Sequence, residues 1–360
     1  MAEAEVLVRH DQLETLLSRL FQHAGMLPED AAFHAQALVL SNLWGIDSHG
    51  VLRAPIYLQR LRSRAINPRP QVRTLRGSRG LEVLDGDDGP GFIVGRQAML
   101  RAVTLAQDYN IGMVSVVRSN HFGAAALYAR IAAERGMLGI AMTSVGPNIV
   151  APGGSKPIIG NNPIAIAIPT FQEFDFCLDM SLSAVAGGKL LLASKKGEKI
   201  PLDWATDKEG RPTDDPDIAF AGFLLPMGGF KGLGLAYVVE ILCGVINGGA
   251  FGEDILSMYK QSDQPSHTGH MMLAVNLDVI ISRDDMAERM GAYFRRIKQS
   301  PMWDPQSQMY LPGELEHHKA LQRRREGVPL PANLYKELLA LAADMGVSDD
   351  LIALESAGMI

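Results

Sequence analysis

Two side chains suited to proton exchange and carboxylate binding lie within one short segment. The segment DSHGVLR contains His49 and, four residues later, Arg53. Histidine exchanges protons near neutral pH, and arginine can hold a carboxylate through two parallel hydrogen bonds. Side chains four residues apart on a helix face the same way. The spacing indicates chemistry on a 2-oxo acid, but a helix cap at Ser48 beside an incidental histidine would give the same pattern.

Two further candidates follow runs that are apolar enough to be strands. His121 comes after the run 111–117, and Asp179 comes near the end of the run 176–180. Polar residues just beyond strand ends often form the sites of sheet proteins. His121 is a second acid–base candidate, or a loop histidine that bonds only to backbone. Asp179 is predicted to orient a catalytic histidine or bind a ribose hydroxyl, or else to cap the next turn.

A glycine-rich stretch, MGGFKGLG at 227–234, leads into an apolar helical run. Lys231 at such a helix start can attract phosphate, helped by the free amides of the first turn. A flexible linker with a solvated lysine is the alternative. The usual nucleotide fingerprints, G-x-G-x-x-G and G-x-x-x-x-G-K-[ST], are absent from the sequence.

The elements predicted around these residues are helical at both ends of the chain and contain strands in the middle. Helices are predicted at 12–24, 28–44, 51–64, 95–109, 124–135, 231–246, 284–298, 314–326 and 334–345, strands at 81–84, 111–117, 138–143, 164–168, 176–180 and 271–281, and a charged surface loop at 195–217. This order predicts a helical domain built from both termini (1–75 plus 255–360) around an inserted sheet domain (76–254).

Composition limits the class of protein. The chain has 360 residues, a size that favours two packed domains, and its formal net charge of -6 offers no basic face for nucleic acid. No apolar stretch is long enough to span a bilayer, and the N-terminus lacks the pattern of a signal peptide. Cys177 and Cys243 lie in apolar runs without metal-ligand spacing. We therefore expect a cytoplasmic protein with no metal site.

Eight segments taken together resemble the malate/L-lactate/ureidoglycolate dehydrogenase family, which is distinct from the Rossmann-type lactate and malate dehydrogenases. They occur in order over about residues 10–330: DSHGVLRAPIYLQRL, SNHFGAAALYA, GIAMTSVGP, GNNPIAIAIP, LDMSLSAVAGGK, IPLDWATDKEGRPTDDP, PMGGFKGLGLA and YLPGE. Each segment alone is a weak signal, but eight in order identify the family.

The resemblance implies an α/β (α+β) fold whose cofactor domain has a largely antiparallel, non-Rossmann sheet. That sheet would explain the missing glycine fingerprint. It also implies NAD or NADP as cofactor, a small carboxylate substrate, and a homodimer with the site in a cleft close to the partner subunit.

By motif match, His49 is the proton donor or acceptor, Arg53 holds the carboxylate, Ser48 assists, and His121 and Asp179 are further catalytic candidates. The positions that match the cofactor lining are Ser144, Asn162, Asp179, Met180, Ser181, Phe230, Lys231, Gly313 and Glu314. The same residues would serve reduction of a cyclic imino acid, and a non-catalytic ligand-binding relative is the remaining alternative.

Overall fold

A computed structural model of the chain describes residues 5–347, 351, 353 and 354. The strands are β1 (Glu5–Val8), β2 (Arg73–Ser78), β3 (Leu81–Gly89), β4 (Ile111–Ser119), β5 (Met137–Thr143), β6 (Ile149–Val150), β7 (Pro157–Ile159), β8 (Ile164–Ile168), β9 (Phe176–Met180), β10 (Ala205–Thr206), β11 (Phe223–Leu224), β12 (Thr268–Asn276) and β13 (Val328–Pro331). The α-helices are α1 (His10–His23), α2 (Pro28–Leu43), α3 (Ala54–Arg62), α4 (Gly91–Tyr109), α5 (Ala126–Ala133), α6 (Gly187–Lys196), α7 (Pro216–Ala221), α8 (Phe230–Glu240), α9 (Arg283–Lys298), α10 (Glu314–Glu326) and α11 (Ala332–Asp344).

Seven strands form the main sheet, in the order β2-β3-β4-β12-β5-β8-β9. Only β3 and β4 run parallel, and the other five neighbouring pairs are antiparallel. A dinucleotide fold of the Rossmann type would instead have a mostly parallel sheet. The predicted fold class, a largely antiparallel non-Rossmann sheet with helices from both termini, is confirmed.

The central strand comes from late in the chain. β12 pairs with β4 on one side and β5 on the other. Its side chains alternate between two apolar cores, with Met272 and Ala274 in one and Met271 and Leu273 in the other. Because both faces are covered, the strand is apolar throughout its middle. The sequence-based division assigned residues 268–276 to the helical domain, whereas the pairing places them in the sheet.

Elements from the two ends of the chain pack together. β1 pairs antiparallel with β13, and α10 packs on α2. α1 presents its leucine face to the same core, as its amphipathic spacing predicts. Helices α4 and α5 cover the sheet on the side of this core, while α8 packs against the second core.

Several local features differ from the sequence-based expectations. Residues 51–53 form a short 3-10 helix, so α3 begins only at Ala54. The segment predicted as a loop, 195–217, contains the end of α6, strand β10 and the start of α7. β10, β11, β6 and β7 form a small second sheet. Within the described ranges, no helix combines the length and apolarity needed to cross a bilayer.

Candidate active site

His49 lies in an interrupted helical turn between α2 and α3. Residues 47–49 and 51–53 are separate 3-10 helices, joined at Gly50. The Asn42 side chain fills the space at this joint, since a Cβ added to Gly50 would lie 2.1 Å from Asn42 Oδ1. The same oxygen accepts a hydrogen bond of 2.7 Å from the Val51 amide. The turn therefore depends on a glycine at position 50 and an amide at position 42.

Asp47 joins this turn to α10. Its carboxylate accepts a 2.6 Å hydrogen bond from Asn42 Nδ2 and forms a two-point ion pair with Arg323 of α10, at 2.7 and 3.0 Å. A bidentate arginine–carboxylate pair fixes orientation as well as distance. Residues from α2 and α10 thus hold the turn from two sides.

Ser48, His49 and Arg53 form one connected group. Ser48 Oγ lies 3.0 Å from His49 Nδ1, and Arg53 Nε donates a 2.6 Å hydrogen bond to the Ser48 carbonyl. Burial of the ring, followed by the nearby Arg53 charge, lowers the pKa of His49 to about 4. The predicted proximity of His49 and Arg53 is present, although two 3-10 turns bring them together instead of one α-helical turn.

His121 lies beside this group. Its ring is roughly parallel to that of His49, with centroids 5.7 Å apart. Tyr57, which is buried in α3, places its hydroxyl 2.6 Å from His121 Nδ1, and the Gly123 amide donates to the same nitrogen at 3.3 Å. Burial, then the charge of Arg53, holds the pKa of His121 well below its usual value of 6.5. Both predicted acid–base residues are brought together.

Asp179, on β9, contacts the start of α5. Its carboxylate accepts a 3.0 Å hydrogen bond from the Ala126 amide at the start of α5. Burial raises its pKa to about 6, against the opposing effect of this hydrogen bond. Within the described residues, its carboxylate has no hydrogen bond to either imidazole. The carboxylate therefore contacts the start of α5, which lies earlier in the chain, and does not cap the turn after β9.

Two predicted cofactor segments are joined by main-chain hydrogen bonds. The Met227 amide donates to the Leu182 carbonyl at 2.9 Å, and the Ala184 amide donates to the Leu225 carbonyl at 2.8 Å. This short ladder places the end of β9, with Met180 and Ser181, beside the segment that leads into α8, with Phe230 and Lys231. Both residues at the start of α8 are exposed, Phe230 to 75%.

Ser144 and Asn162 are buried and already bonded. Ser144 Oγ accepts from the Gly269 amide at 3.3 Å. Asn162 accepts from the Val145 amide at 2.9 Å and donates to the Ala236 carbonyl and to Glu240, both at 3.0 Å. Its side chain ties the 145 loop to α8. These contacts make Asn162 a support of the predicted wall.

Gly313 and Glu314 lie against the first half of β9. The Cys177 amide donates to the Pro312 carbonyl at 3.1 Å, and a Cβ on Gly313 would lie 2.7 Å from the Asp175 carbonyl. Glu314 is buried, pairs with Lys298 and accepts from the Leu311 amide at 2.8 Å. Its carboxylate is therefore engaged within the fold.

The surroundings of the ladder suit a nicotinamide dinucleotide. Neither α6 nor α8 has a side-chain cap at its N-terminus. No described group accepts a hydrogen bond from the amides of Gly187 and Gly188 in α6 or of Phe230 and Lys231 in α8, so these four can bind an anion. A Cβ added at Gly187, Gly188, Gly228 or Gly229 would meet nothing within 4 Å. Lys189 and Lys231 lie in the two first turns. Open glycines, free amides and lysines match the demands of a diphosphate.

The sequence alone does not mark Tyr57 and Asn42 as residues of the site. Both lie inside helices among apolar neighbours, where the spacing of a buried tyrosine or asparagine is the same as that of an ordinary core residue.

The sequence predicts no metal site. Glu173, His317 and His318 do bring possible ligand atoms within 4.8 Å of one another.

Comparisons with known proteins identify the family of the chain. Residues 8–339 match the family described as malate/L-lactate dehydrogenase. The chain is 34% identical to a malate dehydrogenase of Pyrococcus horikoshii, over 96% of this chain and 97% of that protein. It is 35% identical to a (2R)-3-sulfolactate dehydrogenase (NADP(+)) of Chromohalobacter salexigens, over 92% and 96%. The solved sulfolactate dehydrogenase of Methanocaldococcus jannaschii superposes with a TM-score of 0.89 at 32% identity, over 96% of this chain and 98% of that chain.

The fold and the matched segments define an oxidoreductase of the dehydrogenase class. The chain belongs to the malate/L-lactate dehydrogenase family. This confirms the family resemblance and the enzyme class predicted from the sequence. The name of the Chromohalobacter relative includes NADP, in agreement with the predicted nicotinamide cofactor.

Proposed function

We propose that this enzyme interconverts a small 2-oxo acid and the corresponding 2-hydroxy acid with NAD or NADP as cofactor. The observation that carries the proposal is the pairing of His49 with an anchored Arg53. The Arg53 guanidinium is held through Nε by the Ser48 carbonyl. No described side chain or backbone group forms a hydrogen bond or ion pair with its Nη1 or Nη2. A substrate carboxylate can therefore occupy the two-point face of the guanidinium.

His49 exchanges the proton in this scheme. Because its pKa is about 4, it is neutral near pH 7 and can accept the hydroxyl proton of a 2-hydroxy acid. In the reducing direction the ring takes a proton from solvent and donates it to the substrate oxygen. Ser48, 3.0 Å from Nδ1, orients the ring. Arg53 holds the substrate carboxylate, so the reacting carbon and its oxygen stay in one fixed position relative to His49.

The cofactor carries the hydride when it is bound. The wall that would hold it is formed by Met180, Ser181, Phe230 and Lys231, with Ser144 and Asn162 behind it. Lys231 and the first-turn amides of α8 would take the diphosphate. The buried Gly313–Glu314 segment closes the wall near the first half of β9. Asp179 supports the His121 segment through the Ala126 amide.

A homodimer is the proposed assembly, and α8 with the π-helical turn that follows it is the proposed contact surface. Large apolar side chains are exposed along this stretch: Leu235, Tyr237, Val238, Ile241, Val245 and Ile246. Apolar surface concentrated in this way marks a protein contact. In sedimentation experiments we expect wild-type dimers and Val238→Asp monomers, and a wild-type monomer would reject the assignment. A cytoplasmic location is proposed on the two free, buried cysteines.

A substrate panel tests the reaction. NADH and NADPH are each offered with pyruvate, oxaloacetate, a sulfonated 2-oxo acid and a cyclic imino acid, and loss of nicotinamide absorbance is followed. We expect turnover with at least one 2-oxo acid. Turnover of the cyclic imino acid alone would identify a reductase of the carbon–nitrogen double bond. Binding of cofactor without any turnover would identify a non-catalytic relative.

A further inference from the structure

The hydrogen bonds around His121 determine which of its ring nitrogens carries the proton. Nδ1 lies 2.6 Å from the Tyr57 hydroxyl and 3.3 Å from the Gly123 amide nitrogen. A backbone amide can only donate, so Nδ1 must present a lone pair to it. The Tyr57 hydroxyl must then donate as well. A neutral imidazole has one N–H, which is consequently on Nε2.

Burial keeps this arrangement neutral. Tyr57 is almost fully buried, and the Arg53 and Arg60 charges lie close enough to affect its hydroxyl. His121 faces Arg53, His49, His270 and Arg60, all of which oppose a positive charge on its ring. An imidazole in this setting retains its single proton, and its Nε2–H is available to donate a hydrogen bond.

We propose that Tyr57 is a positioning residue that holds His121 as the Nε2–H tautomer, so that His121 donates a hydrogen bond to the reacting oxygen while His49 exchanges the proton. The kinetic part of this assignment rests on the proposed function. The two rings are close and roughly parallel, with centroids 5.7 Å apart, so one substrate oxygen can be reached from both. His121 keeps its proton throughout, and its hydrogen bond polarises the carbon–oxygen bond.

Tyr128 supplies a matched control. It is also a buried tyrosine beside the same segment, but its hydroxyl donates to the Phe122 carbonyl and not to an imidazole. Tyr57→Phe and Tyr128→Phe each delete one buried hydroxyl next to residues 121–122. A merely structural role for Tyr57 predicts similar behaviour of the two variants, and a tautomer role predicts different behaviour.

The test begins with nitrogen NMR of protein labelled with ¹⁵N-histidine, without substrate or cofactor, and with His121→Gln used to assign the signal. Wild type and Tyr128→Phe should show His121 with a proton-free Nδ1 and a protonated Nε2. Tyr57→Phe should show a mixture of tautomers. A wild-type ring protonated on Nδ1, or an unchanged tautomer in Tyr57→Phe, would overturn the assignment.

Kinetics supply the second readout. With a 2-oxo acid that the wild type turns over, Tyr57→Phe should lower kcat by roughly tenfold while KM changes by less than about threefold, since one neutral hydrogen bond is lost. An unchanged kcat would reject the positioning role. The NMR result needs no turnover, so a correct tautomer in a protein that reduces no substrate would reject the proposed function alone.

Discussion

The imidazole rings of His49 and His121 lie with their centroids 5.7 Å apart and their planes 19° from parallel. The two residues are 72 positions apart in the chain and come from different elements, the turn before α3 and the segment after β4. Each ring has its Nδ1 engaged, one by Ser48 and the other by Tyr57. No described residue forms a hydrogen bond with Nε2 of either ring, so in the proposed reaction both Nε2 atoms can meet the substrate.

Replacing His49 should remove proton exchange and leave cofactor binding intact. We expect His49→Ala to lower turnover by about 100- to 10,000-fold, the usual contribution of general acid–base catalysis. The measurement is kcat with the best 2-oxo acid, together with fluorescence titration of the reduced cofactor. Turnover close to wild type would exclude His49 from the role.

Replacing Arg53 should mainly weaken substrate binding. Loss of a charge-assisted pair to a carboxylate predicts a rise in KM of roughly 10- to 100-fold for Arg53→Ala. Arg53→Lys should recover only part of this, since the ammonium group lacks the planar fork. Arg62→Ala, on the exposed side of α3, is the matched control. An unchanged KM for every 2-oxo acid would contradict the clamp.

A methyl group at position 50 should displace the catalytic turn. In Gly50→Ala the new Cβ would overlap the Asn42 amide, which cannot move without losing its bonds to Val51 and Asp47. We expect lower stability by about 1–3 kcal/mol from overpacking and a loss of turnover of about 100-fold from misplacement of His49. Wild-type kcat in Gly50→Ala would show that the turn tolerates the shift.

Buried His34 should make stability sensitive to acid. Its ring stacks between Phe21 and Phe92 at 4.3 Å from each, and burial lowers its pKa to about 3. The unfolded chain takes up the proton near pH 6.5, so stability falls as the pH drops from about 6.5 towards 3. At pH 5 this one group costs about 2 kcal/mol.

Urea unfolding at pH 8 and pH 5 measures that cost. The difference between the two pH values should be smaller in His34→Phe than in wild type, whatever the absolute stability of the variant. His23→Gln, at an exposed position of α1, is the matched control. An equal pH dependence in His34→Phe and wild type would contradict the prediction.

The sequence predicts most elements because their periodicity is local. The amphipathic α1 and the apolar β8 both match their predicted positions to within a few residues. The placement of β12 between β4 and β5 could not be predicted, since pairing depends on contacts more than 120 residues apart along the chain. For the same reason, the contact between Tyr57 and His121 appears only in the folded protein.

The site shows the same division. His49 and Arg53 can be predicted from the sequence because both lie in one short segment whose side chains suit acid–base and carboxylate chemistry. The motif groups Asn162 with the cofactor wall, and only the structure shows that its side-chain amide is bonded to the Val145 amide and to α8. A motif marks a position and does not distinguish a ligand contact from a support.

The late origin of β12 has a consequence for biosynthesis. While the ribosome is still making the first 267 residues, β4 and β5 have no strand between them, and each exposes a full edge of unpaired amides and carbonyls. Such edges recruit strands from other chains. Nascent or prematurely terminated chains that stop before residue 268 should therefore depend on chaperones, and the main sheet is complete only once β12 has emerged.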